Sequence, residues 1–248
     1  MSGRRMGIMQ PYFFPYLGHF SLIAACDDWV VFDISQYTPK GWMNRNRVRH
    51  PDGPPNWVSV PLRNGSISIR TCEAQVQDVA ATERMVLGKL SHYRKRAPFA
   101  RAVEALVREA FALPAGDESL VHLDVRALGA VCAYLGLPFA PKICSELDLA
   151  LPPDLGPGDW ALEIASRLGA GSYLNPASGR ALFDPAAFAA RGLELAFLQP
   201  RSWSYAAGPF EPLADLSILD VLMWNDPATV RAALQSHAEV VVAESVGA

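Results

Sequence analysis

Cysteine is scarce in this sequence, and the few cysteines present are far apart. The 248 residues include four, Cys26, Cys72, Cys132 and Cys144, without a CxxC pair and without a histidine at zinc-finger spacing. Disulfide-rich domains and zinc modules need cysteines that converge on one bond or one ion. The sequence therefore argues against both classes. We expect no metal site, and no cofactor is demanded by the sequence.

Long apolar runs and an excess of charge of one sign are also lacking. No segment approaches the roughly 18 consecutive apolar residues of a membrane-spanning helix, and residues 1–5 are not followed by the apolar core of a signal peptide. The net charge of −3 gives no general attraction to nucleic acid or to an anionic membrane. We expect a soluble cytoplasmic protein that binds no nucleic acid and does not insert into a membrane.

What the sequence does contain, close to its start, is a pattern of strand, loop, helix and strand. Apolar runs at 7–9 and 29–32 predict two buried strands, and residues 20–26 between them predict a helix. This order is typical of a βαβ unit, in which ligands bind at the carboxyl ends of the strands. Because Gln10 and Asp33 follow the two strands, we expect both side chains at one edge of the sheet.

The rest of the chain predicts a hairpin and then helices and strands. Residues 57–62 and 66–69 alternate apolar and small side chains on either side of Asn64-Gly65, which predicts a hairpin. Apolar spacing of three and four residues predicts a helical middle region, with Gly136 as a C-terminal cap. Asp184 followed by Pro185 predicts the capped start of a helix over 184–190. We expect an α/β fold with a Rossmann-like N-terminal βαβ unit, a mostly parallel sheet and a helical middle and C-terminal layer. The predicted organisation is one domain over 1–248, with a βαβ region at 6–47, a helical region at 82–136 and an αβ region at 158–240.

Hydrogen-bonding side chains are concentrated after the predicted strands. Asp33 is suited to act as a general base or to bind a hydroxyl or an amine; the alternative is an aspartate that caps a loop. Basic and amide side chains suited to hold a phosphate or a carboxylate follow closely, at Lys40, Asn44, Arg45, Asn46 and Arg47.

The segment Pro15-x-x-Gly18-His19 is similar to half of the HxGH turn of the nucleotidylyltransferase and pantothenate-synthetase superfamily, with Tyr16 in place of the first histidine. In that superfamily the histidines bind phosphate at a helix N-terminus. The similarity implies phosphate or nucleotide binding at His19. A histidine that caps or packs the helix is the alternative.

A longer motif carries a more specific resemblance. Gln10-Pro-Tyr-Phe-Phe-Pro-Tyr-Leu-Gly-His-Phe20, followed by Asp33-x-x-Gln36-Tyr37-x-x-Lys40-Gly-Trp42-x-Asn44-Arg45-Asn46, resembles the WbqC-like family, and the resemblance extends over the full length of the chain. Members are associated with the biosynthesis of O-antigens, other surface polysaccharides and natural products. With the residues at the predicted strand ends, the resemblance implies His19, Asp33 and Lys40 as catalytic residues. It implies a substrate pocket made of Gln10, Tyr12, Tyr16, Gln36, Tyr37, Trp42, Asn44, Arg45, Asn46, Tyr173 and Ser178.

Three functions remain open at this point. The first is an acyl or aminoacyl transferase that forms an amide on an amino sugar, for instance a nucleotide-linked one, or on another amine. Its donor would be an acyl thioester of coenzyme A or of an acyl carrier protein. Asp33 or His19 would accept the amine proton, and the donor phosphate or the developing oxyanion would be held by Lys40, Asn44 and Arg45. The second is an adenylating or nucleotidyl-transferring enzyme, and the third is a non-catalytic binding protein. The incomplete HxGH turn favours the first over the second.

Overall fold

The computed structural model describes residues 3–201 and 203–244. Its eight strands are β1 (Arg5–Met9), β2 (Asp28–Val31), β3 (Arg45–His50), β4 (Gly53–Ser59), β5 (Lys142–Ile143), β6 (Ser172–Pro176), β7 (Glu194–Pro200) and β8 (Ala238–Val242). Its eight α-helices are α1 (Leu17–Ala24), α2 (Val79–Leu90), α3 (Ala100–Phe111), α4 (Leu120–Leu135), α5 (Asp159–Arg167), α6 (Pro185–Ala190), α7 (Ile218–Trp224) and α8 (Pro227–Ser236). No helix in these two ranges is long and apolar enough to cross a membrane.

Six strands form one sheet in the order β5-β2-β1-β6-β7-β8. All neighbouring pairs are parallel except β7 and β8, which are antiparallel. When these strands are numbered along the chain within the sheet, the order becomes 3-2-1-4-5-6, which is the strand order of the Rossmann fold. The predicted α/β class and mostly parallel sheet are therefore confirmed. The direction of strand addition reverses between β1 and β6.

Both faces of the sheet are covered, because alternate residues of each strand point to opposite sides. Trp29, Leu174 and Ala196 pack into a large core formed with α1 to α4, α7 and α8. Val30 and Tyr173 pack into a smaller core formed with α5 and α6. The sheet is thus a layer between two sets of helices, and its carboxyl edge stays open for a ligand.

The βαβ unit forms as the sequence predicts, with one shift. Helix α1 begins at Leu17 rather than at the predicted residue 20, directly after the Pro15-Tyr16 pair. Gly7 in β1 has no room for a side chain, because a Cβ there would lie 2.6 Å from the ring of Trp29 in the neighbouring strand. The close packing of β1 and β2 therefore depends on that glycine.

Two predicted helix ends are confirmed by their caps. Gly136 adopts φ +64° and closes α4, a conformation that glycine reaches without strain. Asp184 accepts a hydrogen bond from the backbone N–H of Ala186 and starts α6, with Pro185 at the first helical position.

The hairpin prediction is wrong. The observed hairpin pairs β3 with β4 in antiparallel register, around a turn at Pro51-Asp52. Residues 66–69 form no strand. Strand β3 has the sequence RNRVRH, so its charge conceals a strand whose buried positions are Asn46, Val48 and Arg49.

Candidate functional site

A cavity of about 640 Å³ opens at the carboxyl edge of the sheet, beside the ends of β6 and β7 and the beginning of α1. We call it the main cavity. It lies where the strand order reverses, the position at which open α/β sheets bind their ligands. Its walls include Tyr12, Tyr16, Trp42, Asn46, Arg47, Ser178, Arg201, Trp203, Tyr205, Asp215 and His237.

The beginning of α1 forms one wall of the main cavity. Tyr16, Leu17 and Gly18 all line it, and the first turn has neither an acidic residue nor a side-chain cap. The unpaired N–H groups and the dipole of a helix N-terminus favour negative charge. The ring of Tyr16 lies over Gly18, where a Cβ would be 2.5 Å from the tyrosine Cε2. Gly18 therefore makes room for an aromatic wall.

The hydroxyl of Tyr16 is influenced by Asp215, which also lines the main cavity. Partial burial and the nearby carboxylate of Asp215 raise the pKa of Tyr16, so its hydroxyl stays protonated and can donate a hydrogen bond at neutral pH. Asp215 has φ +55°, a conformation that only glycine, asparagine and aspartate adopt readily.

Arg47 brings positive charge to the cavity wall. Its Nη2 donates to the backbone carbonyl of Asp215 at 3.4 Å, and its guanidinium lies 5.5 Å from the centre of the Trp42 ring. No carboxylate within residues 3–201 and 203–244 forms a salt bridge with it, and its Nε is buried without a hydrogen-bond partner there. Arg47 is thus available to pair with an anionic ligand.

His237 is the titratable imidazole that lines the main cavity. Its Nδ1 lies 2.8 Å from the hydroxyl oxygen of Ser236 and 3.2 Å from the carbonyl oxygen of Ala233. Because the Ser236 hydroxyl donates its proton to the Ala232 carbonyl at 2.9 Å, both oxygens act as acceptors and Nδ1 carries the proton of the neutral ring. Nε2 then keeps a lone pair. Trp203 packs against the same ring, with the two ring centres 5.8 Å apart.

His19 is placed differently from the prediction for a catalytic residue. It lies in α1 but does not line the main cavity, and its ring packs between those of Tyr12 and Trp29. Complete burial lowers the pKa of His19 to about 3. The imidazole is therefore neutral over the physiological range and cannot attract a phosphate as a cation.

Asp33 and Lys40, the other predicted catalytic residues, do not line the main cavity either. The buried carboxylate of Asp33 accepts hydrogen bonds from the backbone N–H of Ser145, at 2.9 Å, and from its hydroxyl, at 2.5 Å. Lys40 is exposed in a turn with φ +59°, and its carbonyl accepts a hydrogen bond from Arg45. Gln10 and Asp33 do follow neighbouring parallel strands, as predicted. The catalytic roles of His19, Asp33 and Lys40 stay predictions.

Among the predicted substrate-binding residues, the structure brings together at the main cavity Tyr12, Tyr16, Trp42, Asn46 and Ser178. Asn46 has little hydrogen-bonding capacity left, because its Nδ2 donates to the carbonyls of Phe13 and Phe14 and its Oδ1 accepts from the Arg47 N–H. Its contribution is to hold the 12–16 loop in place. Ser178 follows β6 at the exposed end of the sheet.

The other predicted binding residues lie outside the main cavity and bond within the fold. Three amides have partners on nearby segments: Gln10 donates to the Ser35 hydroxyl at 2.9 Å, Gln36 to the Ile67 carbonyl at 2.5 Å and Asn44 to the Val60 carbonyl at 3.0 Å. Arg45 stacks 4.0 Å above the Trp57 ring. Tyr37 and Tyr173 are buried in the two cores, with Tyr173 donating to Asn175 at 2.8 Å. Their roles in binding stay predictions.

Sequence reasoning missed the C-terminal half of the cavity. Arg201, Trp203, Tyr205, Asp215 and His237 come from the segment after β7 and from the end of α8. A local signal existed in the aromatic pair Trp203 and Tyr205, which stands in a segment without periodicity. Nothing local connects that segment to residues 12–18, because only the sheet order brings the two together.

Comparison with known proteins finds similarity to a mycobacterial chain and to a protein family. A chain from Mycobacterium tuberculosis (strain ATCC 25618 / H37Rv), described as uncharacterized protein Rv1507c, is 26% identical over 223 residues, which cover 88% of this chain and 93% of the relative. No solved structure matches the chain. The model of the WbqC-like protein family matches residues 10–232, which include the residues that line the main cavity except His237 and Ala238. The chain belongs to the WbqC-like protein family.

Proposed function

We propose that the chain is a biosynthetic acyl or aminoacyl transferase that forms an amide on a nucleotide-linked amino sugar bound in the main cavity. The observation that supports this most is a combination at the reversal of the strand order. Aromatic walls meet there with an arginine that has no carboxylate partner among the described residues and with an imidazole that keeps a free lone pair. Aromatic faces suit a sugar ring or a base, and Arg47 suits a phosphate.

His237 is the proton acceptor in this proposal. The amine nitrogen of the acceptor attacks the carbonyl carbon of an acyl thioester, and His237 Nε2 takes the proton that the nitrogen loses. The C–S bond then breaks, the amide forms, and the thiolate leaves with the proton returned by His237. N–H groups in the first turn of α1 are suited to stabilise the oxyanion that develops on the carbonyl oxygen.

The thioester donor belongs to coenzyme A or to an acyl carrier protein. The exposed rim of the cavity favours such an acidic donor, since Arg45 and Arg47 flank Trp42 and Trp57 there. These two indoles are 42% and 40% exposed, and their ring centres are 5.8 Å apart. An arginine-rich surface of this kind pairs with phosphates of either donor.

The test is product formation from a panel of nucleotide-linked amino sugars and acyl-coenzyme A donors, followed by mass spectrometry. We expect Arg47→Gln to raise KM for the sugar nucleotide about tenfold or more. His237→Gln should lower kcat by about 10² to 10⁴ with a smaller change in KM. His122→Gln, a change at a distant surface histidine, serves as the control for substitution of an imidazole.

Lys40→Ala and Asp33→Asn separate this proposal from the site expected from the sequence motif. If these variants lose activity while Arg47→Gln and His237→Gln keep it, the main cavity is not the active site. The same panel includes ATP with Mg²⁺. Formation of an adenylated product would support nucleotidyl transfer instead, a reaction for which the Rossmann strand order and the exposed beginning of α1 are also suited.

A further inference from the structure

A second cavity, of about 410 Å³, shares no lining residue with the main cavity. We call it the second cavity. It lies between the β3–β4 turn, the 3-10 helix Ser91–Lys95 that follows α2, and the end of α7. Its lining includes His92, Tyr93, Lys95, Arg96, Phe210 and Trp224. None of these residues has a part in the proposed acyl transfer.

The charge of the second cavity is positive. Lys95 and Arg96 are exposed, and neither forms a salt bridge with any carboxylate of the described chain. Their neighbour Arg94, in contrast, pairs with Glu104 at 2.5 Å and does not line the cavity. Asp52 is the carboxylate in the lining, so two free cations face one anion. This balance favours an anionic ligand.

The walls are aromatic and contain two nitrogens without partners. Trp224 is 8% exposed, and its Nε1 donor is buried without a hydrogen-bond partner in the described residues. The same holds for His92 Nε2, which is an acceptor because Nδ1 must donate to the Lys89 carbonyl at 3.1 Å. Both nitrogens are buried within the wall and are not exposed to the cavity, so the aromatic part of the wall offers a ligand ring faces rather than hydrogen-bonding groups.

Two connections join this cavity to the main one. The buried carboxylate of Asp220 accepts hydrogen bonds from Tyr93, in the wall of the second cavity, and at 2.8 Å from Tyr205, in the wall of the main cavity. The segment 203–216 also contributes to both, with Phe210 in one and Asp215 in the other.

Arg49 anchors that segment from β3. Its Nη2 donates to the carbonyl of Glu211, and its guanidinium lies 5.0 Å from the centre of the Phe210 ring. Its backbone N–H donates to the hydroxyl of Tyr93 at 3.0 Å. A ligand that moves Tyr93 or Phe210 therefore acts on hydrogen bonds that also position the main cavity.

We propose that the second cavity is an effector site for a nucleoside monophosphate, coupled to the main cavity through Asp220 and the segment 203–216. The heterocycle packs against the aromatic wall formed by Trp224, Phe210 and Tyr93. The phosphate pairs with Lys95 and Arg96. The binding step is independent of the acyl-transfer proposal, and only the purpose of the coupling rests on it.

Binding is tested by calorimetry with AMP and UMP as probes. We expect the double change Lys95→Ala/Arg96→Ala to weaken binding at least about tenfold, since it removes both phosphate partners. Arg94→Ala, on the same 3-10 helix, is the matched control and should bind as the wild type does. No binding at millimolar probe, or equal binding by the double variant, overturns the proposal. Loss of binding in Arg47→Gln instead would assign the probe to the main cavity and overturn it as well.

Coupling is tested by hydrogen exchange, which needs no ligand in the main cavity. AMP should slow exchange of backbone amides within 203–216 in the wild type. Tyr205→Phe, which removes the hydroxyl that reaches Asp220, should keep AMP affinity and lose that protection. Binding without any change in exchange at 203–216 would refute the effector role. If AMP binds and protects 203–216 as expected but no amino sugar is acylated, the proposed function is refuted and the effector site is retained.

Discussion

Acidification should destabilise the fold through His19. Burial lowers the pKa of this imidazole from 6.5 to about 3. Between these two values the imidazole is neutral in the folded protein and protonated in the unfolded chain. Between pH 6.5 and 3 the unfolded state therefore holds more protons, and the free energy of unfolding decreases as the pH falls. When the pH falls from 7 to 5, the titration of His19 lowers the free energy of unfolding by about 2 kcal/mol.

The assay is urea unfolding of the wild type and of His19→Phe at pH 7, 6 and 5. Phenylalanine keeps an aromatic ring against Tyr12 and Trp29 but does not titrate, so its curve should lack the loss of about 2 kcal/mol. Comparing pH slopes rather than absolute stabilities removes the effect of altered packing.

His122→Asn is a control with the opposite sign. Burial opposes its protonation, but the hydrogen bonds and negative charges of Asp117 and Glu146 together outweigh burial and raise the pKa of His122. The protonated His122 stabilises the fold below the unfolded pKa, and this contribution is lost as the pH rises. The wild type gains this contribution on acidification and His122→Asn does not, so the variant should lose stability more steeply than the wild type as the pH falls. Equal slopes in the wild type and His19→Phe would mean that His19 titrates normally, and the reason for transferring the base role to His237 would disappear.

Changes at three other positions test separate parts of the structure. Gly18→Ala should weaken sugar-nucleotide binding, because the added methyl group displaces the Tyr16 ring. The free energy of unfolding in urea should change by less than about 1 kcal/mol. Unchanged binding would contradict this prediction. Burial without a hydrogen-bond partner among the described residues raises the pKa of Asp124 well above its usual value. Asp124→Asn should therefore increase the free energy of unfolding by about 1–3 kcal/mol at pH 8 and lose that gain towards pH 4. A gain that grows on acidification would contradict this prediction. Ser145→Ala should cost about 1–3 kcal/mol in urea unfolding by removing a donor to the buried Asp33 carboxylate; a neutral result would show that the backbone N–H suffices.

The part of the fold that sequence predicts is the part in which local pattern and tertiary contact agree. Apolar runs gave β1 and β2, and their parallel pairing does place Gln10 and Asp33 after neighbouring strands. Caps gave the helix ends at Gly136 and Asp184, because a left-handed residue or a side-chain acceptor is a local requirement.

The part that fails is the part in which buried positions are polar. Strand β3 escaped prediction because Asn46 and Arg49 are buried and donate hydrogen bonds to carbonyl groups distant in sequence, at Phe13, Phe14 and Glu211. Periodicity counts apolar side chains, so it does not detect a strand that buries amides and guanidinium groups. The sequence pattern therefore predicted a hairpin of 57–62 with 66–69 instead of the observed hairpin of β3 with β4.

The same physics explains why the richest polar segment is only part of the site. A loop that follows a strand must satisfy its own backbone and side-chain hydrogen bonds. Gln10 does so by donating to Ser35 and accepting from Tyr12, and the Asp33 carboxylate does so by accepting from Ser145. Side chains committed in this way have little capacity left for a ligand. In the wall of the main cavity, the groups that keep capacity include the guanidinium of Arg47, which has no carboxylate partner among the described residues, and Nε2 of His237. Identifying such groups requires knowing every other contact, which a sequence does not contain. For that reason the polar motif identified the family, whereas the candidate site also depends on side chains outside the motif, such as His237.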